Sequence, residues 1–212
     1  MDHASTLIQQ PSVIPAAAPK SLYAMGKRTM DVFVALIGLC LSLLPMGAVW
    51  ILIQMDSPGP ALYCQERLGL DGKPFLMLKF RTMVPDAEKD GPRMTSKQDF
   101  RITRFGKFLR RTKIDELPQL VNVLKGEMSL VGPRPERACF YRQFEAQVPG
   151  FHQRLMVKPG ITGWAQVHGG YDLSPEEKLQ YDLTYIEKRS IRMDLHCLLL
   201  TILVILTGDG MR

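Results

Sequence analysis

The sequence is poor in cysteine and lacks any pattern among the few cysteines it has. Four are scattered along its 212 residues without a Cys-x-x-Cys pair: Cys40, Cys64, Cys139 and Cys197. This scatter argues against a disulfide framework and against a cysteine-ligated zinc site. Reduced thiols in a cytosolic setting are the simplest interpretation. With 46% hydrophobic residues, the chain has enough apolar material for one ordinary domain and an appendage.

The first 20 residues lack an apolar period, and they also lack the basic and hydrophobic regions of a signal peptide. Proline, alanine and glutamine are frequent there, which is typical of a flexible segment. We therefore predict a flexible tail over residues 1–25, an apolar membrane-inserted segment over residues 26–56 and a catalytic domain over residues 57–212.

Charge is absent from Val32 to Ile53, a run of 22 residues. As a helix rising ~1.5 Å per residue, it would match a bilayer core of ~30 Å. Both flanks are basic, which favours placing both ends on one side of a membrane. Pro45 removes a backbone hydrogen bond, and the Ser42 hydroxyl could satisfy the freed carbonyl. Hydropathy alone leaves three alternatives open: a kinked single span, which it favours, a re-entrant helix broken at these residues, and a long core helix.

Two segments have clear local patterns. Ala61–Arg67 and Pro74–Phe80 flank an Asp71-Gly72 pair, which predicts a β-hairpin whose second arm ends near Lys79 and Arg81. The segment Phe100–Lys113 contains six basic residues and no acid, with apolar residues at helical spacing. It predicts a basic amphipathic helix that either lies on anionic headgroups or faces a phosphorylated ligand, or else is a plain hydrated surface helix.

Asp115 and Glu116 form an adjacent carboxylate pair. Apolar residues at helical spacing predict a helix from about Glu116 to Lys125 that ends at Gly126, with Asp115 at or near its N-cap. Such a pair is most often structural, because aspartate is a preferred capping residue. Beside six cations, however, two carboxylates make sense if a divalent cation bridges them to a phosphate, or if one is a nucleophile.

Two glycine- and proline-rich turns follow the carboxylate pair. One holds Arg134 between two prolines, which fixes the backbone so that a planar guanidinium can meet a phosphate. The other runs from Lys158 to Trp164 and offers backbone N–H groups and the Thr162 hydroxyl to an anion.

A formal charge of +6 and a pI near 9.2 favour anionic partners, which leaves several functional classes open. The hypotheses are an enzyme acting on phosphorylated compounds, a non-catalytic adaptor at a membrane surface, and a soluble nucleic-acid binder. The long uncharged run argues against the last, so we expect no nucleic acid among the partners.

Four motifs in a fixed order carry a resemblance to a known family: Lys79–Met83, Asp115–Gly126, Met128–Pro135 and Pro159–Val167. With them the chain, from about Lys27 onward, resembles the bacterial sugar transferases, the monotopic polyprenyl-phosphate phosphoglycosyl transferases, in their minimal catalytic form. The resemblance implies an α+β, predominantly helical fold with a re-entrant N-terminal membrane helix, interfacial amphipathic helices and a small β-hairpin. It also implies a location at the bacterial inner (cytoplasmic) membrane, with the catalytic domain on the cytoplasmic face.

The same resemblance implies the chemistry. Asp115 would attack the β-phosphate of a UDP-sugar and release UMP, Mg²⁺ would assist, and polyprenyl (undecaprenyl) phosphate would then accept the phosphosugar. This would be the first membrane step of exopolysaccharide, capsule or lipopolysaccharide assembly. Glu116 would bind the metal together with Asp115. Candidate substrate-binding residues are Lys79, Arg81, Arg110, Arg134, Lys158, Thr162 and Gln166. Anionic membrane lipid is a further expected partner, and a homodimer is left open.

Overall fold

Helices dominate the described parts of the chain, and two small sheets accompany them. The structure is a computed structural model that describes residues 21–96, 99–170 and 173–207. The helices are α1 (Ser21–Asp56), α2 (Arg104–Thr112), α3 (Gln119–Lys125), α4 (Ala138–Gln147), α5 (Trp164–His168), α6 (Pro175–Lys188) and α7 (Ile191–Thr207). The strands are β1 (Leu62–Leu68), β2 (Pro74–Phe80), β3 (Ser129–Val131) and β4 (Gly160–Thr162). The predicted α+β, predominantly helical class is confirmed.

The predicted β-hairpin is present. Strands β1 and β2 pair antiparallel along their full length, from Leu62 opposite Phe80 to Leu68 opposite Pro74. Asp71 and Gly72 both have positive φ in the connection, as the turn chemistry of an Asp-Gly pair predicts.

The second sheet joins the two glycine- and proline-rich turns. Strands β3 and β4 are parallel, with Val131 opposite Thr162. The backbones touch just beyond the strands, since a Cβ at Gly132 would lie 2.4 Å from the Lys158 carbonyl oxygen. Only glycine permits that approach. The sheet thereby brings the turn with Arg134 beside the turn with Thr162.

Helix α1 continues through Pro45, so the chain stays helical at Ser42 and Pro45, and the bend that a re-entrant path needs there stays a prediction. The Ser42 hydroxyl donates to the Leu39 carbonyl at 3.3 Å. A proline at position 45 frees the carbonyl four residues earlier, that of Leu41. The prediction that Ser42 satisfies the freed carbonyl is therefore wrong. The helix begins at Ser21, within the range assigned to the tail, and residues 1–20 lie outside the described residues.

Both ends of α1 contact the same domain. Near its start, the Arg28 guanidinium donates to the carbonyls of Val123 and Leu124 at 2.7 and 2.8 Å, at the C-terminus of α3. Just past its end, the Arg81 guanidinium donates to the carbonyls of Ser57 and Pro58, both at 2.6 Å. The helix therefore lies along the domain instead of projecting from it.

One face of α1 is buried along its length, and the other faces expose apolar side chains. The buried positions are Asp31, Ala35, Ser42, Val49 and Ile53. Within the described residues, α1 is also the one helix whose length and composition would let it cross a membrane. Its contacts with the domain and its apolar exposure together suggest a membrane association along one side of the molecule.

Helix α2 is shorter than predicted. It begins at Arg104 with Thr103 as its N-cap, where the threonine hydroxyl accepts from the Gly106 N–H at 2.9 Å. Arg101 lies before the helix and forms an ion pair with Asp99 at 2.6 Å. A Cβ at Gly106 would lie 2.1 Å from the Thr82 carbonyl oxygen, so this glycine lets α2 pack against the end of the hairpin.

Candidate functional site

A cavity of about 880 Å³ lies between the hairpin, α2, the carboxylate pair, the second sheet and α7. Eight of the nine residues predicted to form the catalytic and substrate site line it: Lys79, Arg81, Arg110, Asp115, Glu116, Arg134, Thr162 and Gln166. Lys158 does not. Segments far apart in sequence thus converge on one polar cavity.

The carboxylate pair lies in a short 3₁₀ turn, Ile114–Glu116, ahead of α3. Lys113, in the left-handed conformation with φ 59°, separates this turn from α2, and α3 starts only at Gln119. The prediction that the α-helix starts at Glu116 with Asp115 as its N-cap is wrong, because Pro118 caps α3. Both carboxylates are buried, with Asp115 only 7% and Glu116 9% exposed.

Glu116 is held by Arg134. The two guanidinium Nη atoms donate to its two carboxylate oxygens at 2.6 and 3.3 Å. Burial alone would raise the pKa of Glu116, but the charge of Arg134, with Lys113 and Lys79, outweighs burial and lowers the pKa to about 2. Glu116 is therefore an ionised carboxylate throughout the physiological range.

Asp115 is in the opposite situation. Its Oδ1 atom is buried, and no described residue donates a hydrogen bond to it. Burial and the adjacent Glu116 raise the pKa of Asp115 to about 6, against the opposing charges of Arg110, Lys113 and Lys79. At neutral pH this carboxylate is ionised yet poorly solvated. That combination makes a carboxylate reactive toward an electrophilic phosphorus.

Two cations near Asp115 have no carboxylate partner among the described residues. Lys79 lies over the Tyr63 ring, 5.2 Å from its centroid, and burial together with Arg67 and Arg110 lowers its pKa to about 8. Arg110 donates from Nε to the Thr82 hydroxyl at 2.8 Å. Their charges remain available to an anionic ligand in the cavity.

The remaining predicted residues are bonded to the scaffold. The Arg81 guanidinium is occupied by the carbonyls at the end of α1. The Thr162 hydroxyl bonds the Thr201 hydroxyl at 2.7 Å, and the Gln166 amide donates to the Ile161 carbonyl at 2.8 Å.

Lys158 lies outside the cavity. Its ammonium approaches Gly126 at the C-terminus of α3, and the Arg28 guanidinium approaches the same glycine. Burial and the charge of Arg28 lower the pKa of Lys158. This lysine therefore belongs to the contact between α1 and the domain.

Four cavity arginines were not predicted, and each has a carboxylate partner, beginning with Arg93, which pairs with Asp90 at 3.9 Å. Arg67 pairs with Glu136 at 3.0 Å and Arg137 with Glu88 at 2.8 Å. Arg154 pairs with Asp182 at 2.6 Å, with both side chains almost fully buried. The alternating polar residues Tyr63, Gln65 and Arg67 of β1 were a usable indication, since alternate strand residues share a face. Nothing in the local sequence around Arg154 indicates its role.

An exposed apolar helix lies beside a cationic cavity that holds a buried acidic pair, which defines a class of protein with an anion-binding cavity and a surface suited to membrane association. The family assignment agrees with this class. The family model for bacterial sugar transferase matches residues 22–208, and the chain belongs to that family.

Curated relatives differ in the sugar that their names specify. The chain is 43% identical over 197 residues to the UDP-N-acetylgalactosamine-undecaprenyl-phosphate N-acetylgalactosaminephosphotransferase of Aeromonas hydrophila, covering 92% of this chain and 47% of that protein. It is 45% identical over 186 residues to the UDP-glucose:undecaprenyl-phosphate glucose-1-phosphate transferase of Xanthomonas campestris, covering 84% and 38%. A transferase of the same name from Caulobacter vibrioides is 42% identical over 201 residues, covering 91% and 74%. The chain thus spans about half the length of the Aeromonas relative.

Proposed function

We propose that this protein transfers a sugar-1-phosphate from a UDP-sugar to polyprenyl phosphate at a membrane and releases UMP, as the first membrane step in assembling an exopolysaccharide, capsule or lipopolysaccharide. The names of its relatives supply the donor and acceptor classes, and because those names differ in sugar, the proposal is limited to a UDP-sugar. The observation that carries it is the buried, ionised Asp115 inside a cationic cavity.

The reaction takes two displacements. A carboxylate oxygen of Asp115 attacks the β-phosphorus of the UDP-sugar, the bond from that phosphorus to the bridging oxygen breaks, and UMP leaves with this oxygen. The phosphosugar is then an acyl phosphate on Asp115. A phosphate oxygen of polyprenyl phosphate attacks the same phosphorus, which yields polyprenyl-diphosphate-sugar and restores the carboxylate. No separate base is needed, since Asp115 is already ionised at neutral pH.

The other residues position the charged groups. Lys79 and Arg110 hold the donor phosphates, because both lie within electrostatic reach of Asp115 and neither forms an ion pair with a described carboxylate. Arg134 fixes Glu116, and the two prolines beside Arg134 fix the backbone that carries it. Holding both phosphates in line with Asp115 supplies most of the catalysis in phosphoryl transfer.

The donor atoms fit Mg²⁺. Among the described residues no group of three or more acidic, histidine or cysteine ligands forms a full protein cage. Mg²⁺ prefers one or two carboxylates completed by phosphate oxygens and water, and the unpartnered Oδ1 of Asp115 beside Glu116 provides that set. Asp115 and Glu116 would hold the ion, which would neutralise charge on the phosphates.

Membrane attachment is the second part of the proposal. The domain sits on the cytoplasmic face of the inner membrane, α1 is re-entrant with both ends on that face, and the basic residues of α2 contact anionic lipid. Contacts of both α1 ends with one domain support this topology, and so do the exposed Phe100 and Phe108 beside α2. In a cysteine-free background, Leu22→Cys and Ser57→Cys are expected to react with an impermeant reagent from the same side; labelling from opposite sides would contradict it.

The activity is tested by Asp115→Asn. UMP release from UDP-sugars with undecaprenyl phosphate and Mg²⁺ is expected to fall at least about a thousandfold. Asp71→Asn is the matched control, because it removes one aspartate charge at the hairpin turn, outside the cavity, where asparagine tolerates the positive φ. Wild-type release rates in Asp115→Asn would reject the covalent scheme. No release from the wild-type protein with any UDP-sugar would favour a membrane adaptor instead.

A further inference from the structure

The cavity lining includes aliphatic side chains that the donor chemistry leaves unused. Thr201, Val204 and Ile205 of α7 line the cavity, and their i, i+3, i+4 spacing places them on one helical face. Ile161 and Leu120 line the same cavity, and Ile161 lies next to Thr162, whose hydroxyl bonds Thr201 of α7. A UDP-sugar is polar along its whole length, so an aliphatic wall does not match it.

Leu120 links this apolar wall to the membrane helix. A Cβ at Gly38 of α1 would lie 3.0 Å from Leu120 Cδ1, so α1 passes directly behind a residue that lines the cavity. Both α1 and α7 carry exposed apolar side chains: Leu36, Ile37 and Leu41 on α1 and Leu199, Ile202 and Leu203 on α7. Leu120 therefore connects the cavity lining to a helix whose exposed apolar side chains suit the interior of a bilayer.

We infer that the wall formed by Leu120, Ile161, Val204 and Ile205 binds the first isoprenoid units of the acceptor. This inference rests on the proposed function, in which the acceptor is a phosphate at the end of a long branched hydrocarbon. Such a molecule needs its phosphate at Asp115 and an aliphatic channel from there into lipid. One cavity is thus lined both by the cations around Asp115 and by these aliphatic side chains, which matches an acceptor that joins a phosphate to a hydrocarbon.

Two isoleucines on α7 provide a matched test. Ile205 lines the cavity and is 40% exposed, whereas Ile202 is 55% exposed and does not line it. Replacing either with tryptophan keeps the helix apolar, so partition into the membrane is matched between the two variants. Only Ile205→Trp fills the proposed channel.

The measurement is equilibrium binding of fluorescent undecaprenyl phosphate to the protein in detergent micelles, without UDP-sugar. Ile205→Trp is expected to weaken binding about tenfold or more, and Ile202→Trp to leave it unchanged. Equal affinities in the two variants, or no binding by the wild-type protein, would overturn the inference. Equal competition by a phosphatidic acid would also overturn it, because the wall would then not distinguish isoprenoid from acyl chains.

Failure of the acceptor wall and failure of the proposed activity give different results. UMP release with equal binding in the two variants would reject the wall and keep the transferase. Selective loss of binding in Ile205→Trp without any UMP release by the wild-type protein would keep the wall and reject the transferase. A selective loss of UDP-sugar affinity in Ile205→Trp would assign the wall to the donor and overturn the inference.

Discussion

The cavity has two regions that differ in whether their arginine and lysine side chains are paired with carboxylates. In the turn region, defined here as residues 134–137 and their partners, the arginines are paired with carboxylates: Arg134 with Glu116, Arg67 with Glu136, Arg137 with Glu88, and Arg154, which donates to the Arg134 carbonyl, with Asp182. In the Asp115 region, defined by Lys79, Arg110 and Asp115, the two cations have no carboxylate partner among the described residues.

The difference separates structural charge from charge that serves a ligand. A buried cation with a carboxylate partner is already satisfied, and losing one partner leaves the other uncompensated. A cation without such a partner contributes little to the fold, but it can bind an anion that arrives later. Substitutions in the turn region should therefore act first on stability, and those in the Asp115 region first on activity.

The largest expected effect is on the Arg154–Asp182 pair, where both side chains are almost fully buried. Arg154→Leu leaves Asp182 charged and unpaired, and we expect the free energy of unfolding to fall by about 3–5 kcal/mol. Urea denaturation in detergent micelles measures it. Adding Asp182→Leu should restore most of the loss, while Arg142→Leu at an exposed position of α4 should change it by less than about 0.5 kcal/mol. If Arg154→Leu lowers the free energy of unfolding by less than about 1 kcal/mol, the paired arginines of the turn region are not structural, and the distinction between the two regions is wrong.

The next effect is on the cations of the Asp115 region. Lys79→Met and Arg110→Met should each raise the KM for UDP-sugar about 10–100-fold, since a charged hydrogen bond to phosphate contributes about 1.5–3 kcal/mol. The midpoint of urea denaturation should barely change. Lys73→Met, at an exposed position of the hairpin outside the cavity, is the control. If these variants lose stability without a change in KM, Lys79 and Arg110 stabilise the fold, as the paired arginines do, and do not bind the donor.

How far the sequence predicts this division depends on the range of the interactions. The hairpin follows from its local pattern, and the eight predicted residues that line the cavity follow from the family resemblance. The pairing of Arg154 with Asp182 does not, because it joins residues 28 apart with no periodic relation. For the same reason, the resemblance placed Lys158 with the substrate site, although its ammonium lies near Gly126 at the C-terminus of α3.

The path of α1 shows the same limit. Its apolar run is visible in the sequence, but the contacts that lay it along the domain come from Arg28 and Arg81, whose acceptors are distant carbonyls. Proline at position 45 predicted a break, yet the helix continues. Local propensity is a weak constraint when flanking turns are held by tertiary contacts.

A pH profile tests the Asp115 region alone. With the pKa of Asp115 raised to about 6 and that of Lys79 lowered to about 8, kcat/KM should rise about tenfold per pH unit up to about 6 and fall above about 8. Lys79→Arg should remove the fall above 8.

The expected fall of kcat/KM below pH 6 is not caused by unfolding that is linked to protonation of Asp115. Its folded-state pKa is above the usual 3.8, so this group stabilises the fold below pH 3.8 and loses that contribution as the pH rises toward 6. The loss of activity below pH 6 thus has the opposite sign to its effect on stability. An acid limb near pH 4 would show that Asp115 is not the ionising group.

The smallest expected effect concerns the Arg137–Glu88 pair of the turn region. Arg137 and Glu88 are partly exposed, 22% and 31%, and Glu88 comes from the loop at residues 84–96 that lines the cavity. Breaking such a pair should change the free energy of unfolding by less than about 1 kcal/mol. Glu88→Gln also releases Arg137 for an anion, so we expect the KM for UDP-sugar to fall about threefold, or about 0.7 kcal/mol. Asp90→Asn is the control, since it removes one negative charge from the same loop. Asp90 lies outside the cavity, and its pair with the cavity-lining Arg93 is 3.9 Å long and exposed on both sides, so we expect the KM to stay unchanged. If Glu88→Gln lowers stability and leaves the KM unchanged, Arg137 stabilises the fold and does not bind the ligand. If both variants lower the KM equally, the effect comes from the general charge of the loop and not from the release of Arg137.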